Sequence, residues 1–134
     1  MSGAEISQHS PAAARTGGSG RYDQDMDHPT PIRPEEHASW SAEKMGKVTL
    51  FRSASLLVGL NCFEPGQEHK LHAHTDMDKV YHVIEGSGLF TLAGSELPME
   101  AGVLMVAPAG VPHGIRNTSD SRLVVMAILA PSPK

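Results

Sequence analysis

Gly66-Gln67-Glu68-His69-Lys70-Leu71-His72-Ala73-His74 is the stretch on which the reading of this chain turns. His72 and His74 are two residues apart, so on an extended strand both imidazoles leave the same face. Side by side, they suit two positions in the shell of one first-row metal ion. A third imidazole comes from Pro108-Ala109-Gly110-Val111-Pro112-His113-Gly114-Ile115-Arg116-Asn117, where a tight turn delivers His113 onto a following strand. Three imidazoles from neighbouring strands form a facial set that leaves positions open for water or substrate.

Around these segments the chain reads as strands. Val48 to Phe51, Leu56 to Phe63, Val80 to Ile84, Leu89 to Leu92, Val103 to Val106 and Leu123 to Leu129 are short apolar or β-branched runs. Turn residues part them at Glu64-Pro65-Gly66, Glu85-Gly86-Ser87-Gly88, Ala93-Gly94-Ser95 and Ala107-Pro108-Ala109-Gly110. Short strands at this rhythm, with almost no helical periodicity and no internal repeat, indicate an all-β sandwich or barrel. Ser39 to Met45 is expected to supply one short helical turn. Leu123 to Leu129 is apolar at both parities, so both of its faces should be covered. One face would look into the barrel and the other would meet a second sheet or a second subunit, which makes a homodimer the economical expectation.

Residues 1–36 differ in character. Gly17-Gly18-Ser19-Gly20 is a flexible tract, Pro29, Pro31 and Pro34 interrupt any ladder, and apolar side chains are sparse. The stretch reads as a mobile or surface-draped tail, with His9, His28 and His37 solvated, before a barrel domain at 37–134. A chain of 134 residues, 40% apolar, has room for one domain and one core. A formal charge of −4 argues against a nucleic-acid partner, which needs a basic face. Neither a membrane-length apolar run nor a secretory leader is visible, so the expectation is a cytoplasmic protein with no membrane partner. Cys62 is the sole cysteine, which excludes an internal disulfide and a thiolate cluster and reads as a small buried apolar residue.

The two histidine segments together resemble the motifs of the cupin superfamily. The first motif runs glycine, five residues, His-x-His, Glu, six residues, glycine, and is met here by Gly66, His72, His74 and Gly86, with Lys79 in the place of the Glu. The second is met at every position by Gly102, Pro108, Gly110, His113 and Asn117. Only 15 residues separate Gly86 from Gly102, as in small single-domain bacterial cupins, and the likeness runs from about Lys47 to the C-terminus. It implies a jelly-roll barrel, a divalent metal held between the sheets by His72, His74 and His113, and frequent dimers. Gly66, Gly86, Gly102 and Gly110 fall at turns that should need φ > 0. Asn117 would tie a turn by bonding to backbone, or tolerate a left-handed conformation.

Lys79 is the departure that carries information. An ammonium cannot ligate, and at about 4 Å from a dication it would be repelled by roughly 8 kcal/mol at an effective dielectric near 20. Three outcomes stand open. Lys79 turns away toward Asp76, Asp78 or Glu85; or it sheds its proton; or no metal binds and the histidines form a hydrogen-bonded cluster. Asp78 should face the opposite way, and only a bulge would bring it in as a ligand.

Three-His cupin sites resemble those of non-haem iron dioxygenases. The resulting functional reading is a metal-binding cupin, an iron-dependent dioxygenase acting on a small anionic or chelating metabolite. Fe2+ suits an enzyme, and Zn, Ni, Mn or Cu would suit the same ligands. Tyr81 and Lys79 are the candidate catalytic residues, positioning the substrate. A non-enzymatic small-molecule binding or sensor domain is the alternative class, and isomerase or decarboxylase chemistry a third. His69 is odd relative to His72 and His74 and should point away, and His82 should face outward while Tyr81 and Val83 share the Lys79 face. Trp40, Phe51, Phe63 and Phe90 read as core, and Met77, Met99, Met105 and Met126 as gap fillers.

Overall fold

Among the described residues nine strands form, in the order the turn residues dictate. The computed structural model describes residues 29–133, and His9 and His28 lie outside the described residues. The strands are β1 (Gly46–Arg52), β2 (Leu57–Phe63), β3 (Glu68–His72), β4 (Asp78–Glu85), β5 (Ser87–Leu92), β6 (Ser95–Glu100), β7 (Leu104–Ala107), β8 (His113–Arg116) and β9 (Leu123–Ala130). They pair into a five-stranded sheet ordered β1-β2-β9-β4-β7 and a four-stranded sheet ordered β3-β8-β5-β6. Every pairing is antiparallel. The two sheets face each other as a jelly-roll, as expected. Gly66, Gly86, Gly102 and Gly110 all adopt positive φ, between 84° and 94°, a conformation that side chains with a Cβ rarely take.

Alternation along β4 sends Lys79, Tyr81 and Val83 inward and Val80, His82 and Ile84 outward, as the sequence predicts. The inner core gathers Phe63, Tyr81, Val83, Phe90, Ile115, Leu123 and Val125 between the sheets. On the outer face a second cluster of Val48, Leu50, Leu60, Cys62 and Val124 is packed against by Ile32, Ala38 and Trp40. The two-sided apolarity of β9 is therefore explained in part within the chain. Residues 32–40 cover part of its outer face, which the sequence had assigned to a second sheet or subunit. Cys62 is buried and free, and burial pushes its thiol pKa up.

Two local expectations are corrected. The helical turn falls at Pro34–His37, not at Ser39 to Met45, because Pro34 at its start already has the helical φ and Ala38 is extended (ψ 144°). β6 was not foreseen, since its pattern is almost wholly exposed and contains Pro98. As an edge strand paired to β5 alone, it tolerates a residue that cannot donate to a ladder on its free side.

Candidate metal centre

β3 and β8 place the first two histidines opposite each other. His72 pairs directly with His113, and His69 pairs with Ile115, so three steps on β3 match two on β8. The extra residue is a bulge, and it turns the face of the strand. Gly114 lies against this bulge. A Cβ there would stand 2.6 Å from the His69 carbonyl oxygen and 2.6 Å from Thr91 Oγ1, so only glycine fits. His74 follows the end of β3 and is tied down where its carbonyl accepts a 2.6 Å bond from the Gly110 N–H. The turn that delivers His113 thus also anchors His74.

The three rings converge. Their centroids lie 4.4 Å apart for His72 and His113, 5.0 Å for His72 and His74, and 5.9 Å for His74 and His113. One nitrogen from each falls within 4.8 Å of the others, close enough to share an ion. His72 Nδ1 donates to the Lys70 carbonyl at 2.7 Å, and His113 Nδ1 donates to the Val111 carbonyl at 2.8 Å. A carbonyl only accepts, so both Nδ1 atoms carry protons and both Nε2 atoms carry lone pairs. Those two Nε2 atoms are buried with no protein partner. Buried polar atoms ordinarily find partners, so the pair fits an incoming cation with its outer hydrogen bonds already set. Burial is the largest cause lowering the pKa of His72, His74 and His113, and Lys79 lowers all three further. The neutral form that ligates is the form present at pH 7.

Lys79 stands on the opposite sheet and stays inside. It is 4% exposed, and its Nζ lies 4.8 Å from the centre of the Tyr81 ring. Among the described residues no carboxylate pairs with it, so it has not turned to Asp76, Asp78 or Glu85. Burial, then the charge of Lys47, pulls its pKa down to about 8. Asp78 is not brought in as a ligand; its Oδ1 accepts from the Ala109 N–H at 2.8 Å, bracing the turn that carries His113. Tyr81 is fully buried, with its ring 5.9 Å from His113 and its hydroxyl unpartnered. Burial raises the phenol pKa, so the hydroxyl remains a donor.

His69 corrects an expectation. The bulge brings its ring to 4.1 Å from that of His72 and onto the wall of a cavity shared with His74 and Lys79. Its Nδ1 is buried and unpartnered, and burial, then His72, lowers its pKa to about 3. Sequence reasoning also passed over Lys47 and Asn61, which line the same cavity of about 230 Å³. A strict two-residue alternation from Lys79 cannot find them, because they lie on other strands. His82 faces outward as expected.

A two-sheet jelly-roll with three converging histidines, His72 and His113 on one sheet and His74 just past its β3 strand, defines the cupin class. The family model described as the cupin domain matches residues 59–129, more than half of the chain, and the protein belongs to that family. An oxalate-binding protein of Thermotoga maritima is 27% identical over 88 residues, covering 66% of this chain and 72% of that one. A Thermus thermophilus crystal structure is 36% identical with a TM-score of 0.73, covering 77% of this chain and 98% of that one. A Thermotoga maritima structure described as a predicted oxalate decarboxylase is 28% identical with a TM-score of 0.54, covering 56% of this chain and 65% of that one. No helix among the described residues is long and apolar enough to cross a membrane.

Proposed function

We propose that this cupin holds one divalent metal ion on His72, His74 and His113 and uses it to take up a small chelating anion. The carrying observation is the pair of buried, unpartnered Nε2 atoms of His72 and His113, each with its Nδ1 already committed to backbone. The ligand set is neutral, so a bound ion keeps its full charge and favours an anionic chelator. Such an ion supplies Lewis acidity, and as Fe2+ it supplies oxygen activation. Lys79 then neutralises the carboxylate or enolate of the substrate, and the Tyr81 hydroxyl donates to a substrate oxygen. Both are positioning residues until substrate is bound, and the closed barrel around them excludes water from that contact. The oxalate-binding relative and the neighbour predicted to be an oxalate decarboxylase support a small chelating anion as the ligand.

Iron-dependent dioxygenation is the enzymatic reading of this site. Elemental analysis of the purified protein should find one equivalent of metal, lost in His113→Ala. Iron-loaded protein should consume oxygen with a thiol or diketone. A second reading, favoured by the oxalate-binding relative, is a binding module; oxalate would then raise the melting temperature of the metal-loaded protein without turnover. Lys79→Ala should weaken anion binding, and unchanged affinity would remove Lys79 from the site. The protein is further proposed to act in the cytoplasm as a homodimer. Leu104 and Val106 stand 58% and 54% exposed on the outer face of β7, where a second copy would cover them. A clean monomer in sedimentation would dismiss that pairing.

A further inference from the structure

The cavity beside the histidines is rich in donors. Among the described residues its charged and polar wall is Lys47, Thr49, Asn61, His69, His74 and Lys79, with no Asp or Glu, in a protein whose formal charge is −4. Asn61 is 6% exposed, and its Nδ2 has no hydrogen-bond partner. Lys47 sits directly opposite Asn61 in the β1–β2 register, so the two act at one place on the five-stranded sheet. The histidines belong to the other sheet. Leu57, Ala127 and Leu129 make the wall between these polar groups apolar. At about 230 Å³ the cavity exceeds the roughly 30 Å³ share of one water several-fold.

An unpartnered buried amide is costly to keep unless something accepts from it, and clustered ammonium groups call for an anion. Among the described residues neither an arginine nor a helical residue lines the cavity. One amide and one ammonium offer a donor to each of the two oxygens of a carboxylate, whereas a phosphate would bring a third oxygen and a second charge that the pair does not meet.

We propose that Lys47 and Asn61 form a second anion subsite that holds the distal carboxylate of an aliphatic dicarboxylate. The other end of that ligand reaches the metal site at His74, which lines the cavity and whose ligand atom lies within 4.8 Å of those of His72 and His113, and only this end rests on the metal-dependent function proposed above. The ligand is accordingly longer than oxalate, whose two carboxylates a metal would take together.

The test is calorimetric titration of the full chain loaded with Zn2+, with metal uptake measured first. Lactate and malate share the 2-hydroxy-carboxylate end, and malate alone carries a second carboxylate. Malate should bind at least 10-fold more tightly than lactate. Lys47→Met and Asn61→Asp should each bring malate to within about twofold of lactate while leaving lactate unchanged. Equal binding of the two acids to the wild type, or a malate advantage that survives both substitutions, overturns the subsite. Absence of zinc uptake would sink the metal function separately, and succinate titrated into the metal-free protein then reads the subsite alone. Succinate binding lost in Lys47→Met supports it, and no succinate binding overturns it.

Discussion

Asn117 and the histidine cavity are both buried polar regions of one barrel, and they are wired in opposite ways. Asn117 is fully buried and every capacity of its side chain is used. Its Nδ2 donates to the Phe63 carbonyl at 3.1 Å and the Ser121 carbonyl at 2.8 Å, and its Oδ1 accepts from the Ser119 N–H at 3.0 Å and the Ser119 hydroxyl at 2.8 Å. In and beside the cavity, Asn61 Nδ2, His69 Nδ1, His72 Nε2, His113 Nε2 and the Tyr81 hydroxyl are all buried without partners among the described residues, the first two on the cavity wall itself. A satisfied network stabilises the fold, whereas an unsatisfied one costs stability and is tolerated where a ligand completes it. The comparison thus separates a polar residue kept for architecture from polar residues kept for binding, although both sit inside the same sheets.

If that separation is right, substitutions in the two regions should move stability in opposite directions. The largest loss is expected at Asn117→Ala, which removes its buried bond to the Phe63 carbonyl together with its bonds to the Ser121 carbonyl, the Ser119 N–H and the Ser119 hydroxyl, and should cost about 3 kcal/mol. Urea unfolding measures it, and a cost below about 1 kcal/mol would place Asn117 with the dispensable polar groups. His113→Ala should lower metal affinity by about 100-fold or more, roughly 2.7 kcal/mol, with a smaller change in the stability of the metal-free protein. Competition with a chromogenic chelator reads that difference.

Lys79→Met should stabilise the metal-free protein by on the order of 2 kcal/mol, because it removes a buried, unpaired ammonium. The sign with pH follows from its lowered pKa. Folded Lys79 titrates near 8 and the unfolded side chain near 10.5, so between those values the unfolded state binds more protons. Stability should therefore rise with pH across that window, with the full penalty present below it, and Lys79→Met should abolish the rise. A wild-type profile flat from pH 7 to 10.5 would count against a strained Lys79. The smallest effect belongs to the surface. Arg116 and Glu96 meet at 2.9 Å but are 41% and 43% exposed, so Glu96→Gln should change stability by about 0.5 kcal/mol or less.

How far the sequence reaches can be traced along individual strands. The inward face of β4 was legible because residues 78–84 alternate without interruption, which assigned Lys79, Tyr81 and Val83 together. His72 and His113 were legible because the two-residue spacing of His72 and His74 marks one face of a strand, and the turn at Gly110 marks where β8 begins. β6 was illegible because an exposed edge strand needs no apolar alternation. His69 was misassigned because two-residue counting assumes an unbroken ladder, and the bulge opposite Gly114 breaks it between His69 and His72.

By itself, then, the sequence determined the all-β barrel, the glycine turns and the three histidines, since each depends on spacing within a few residues and on the period of an extended chain. Only the tertiary structure decided that His69 faces the cavity, that Lys79 stays inside without a carboxylate, and that Lys47 and Asn61 share its wall. Those facts depend on sheet closure and on one inserted residue in a strand. Local pattern does not encode which strands become neighbours, and a single bulge exchanges the inner and outer faces.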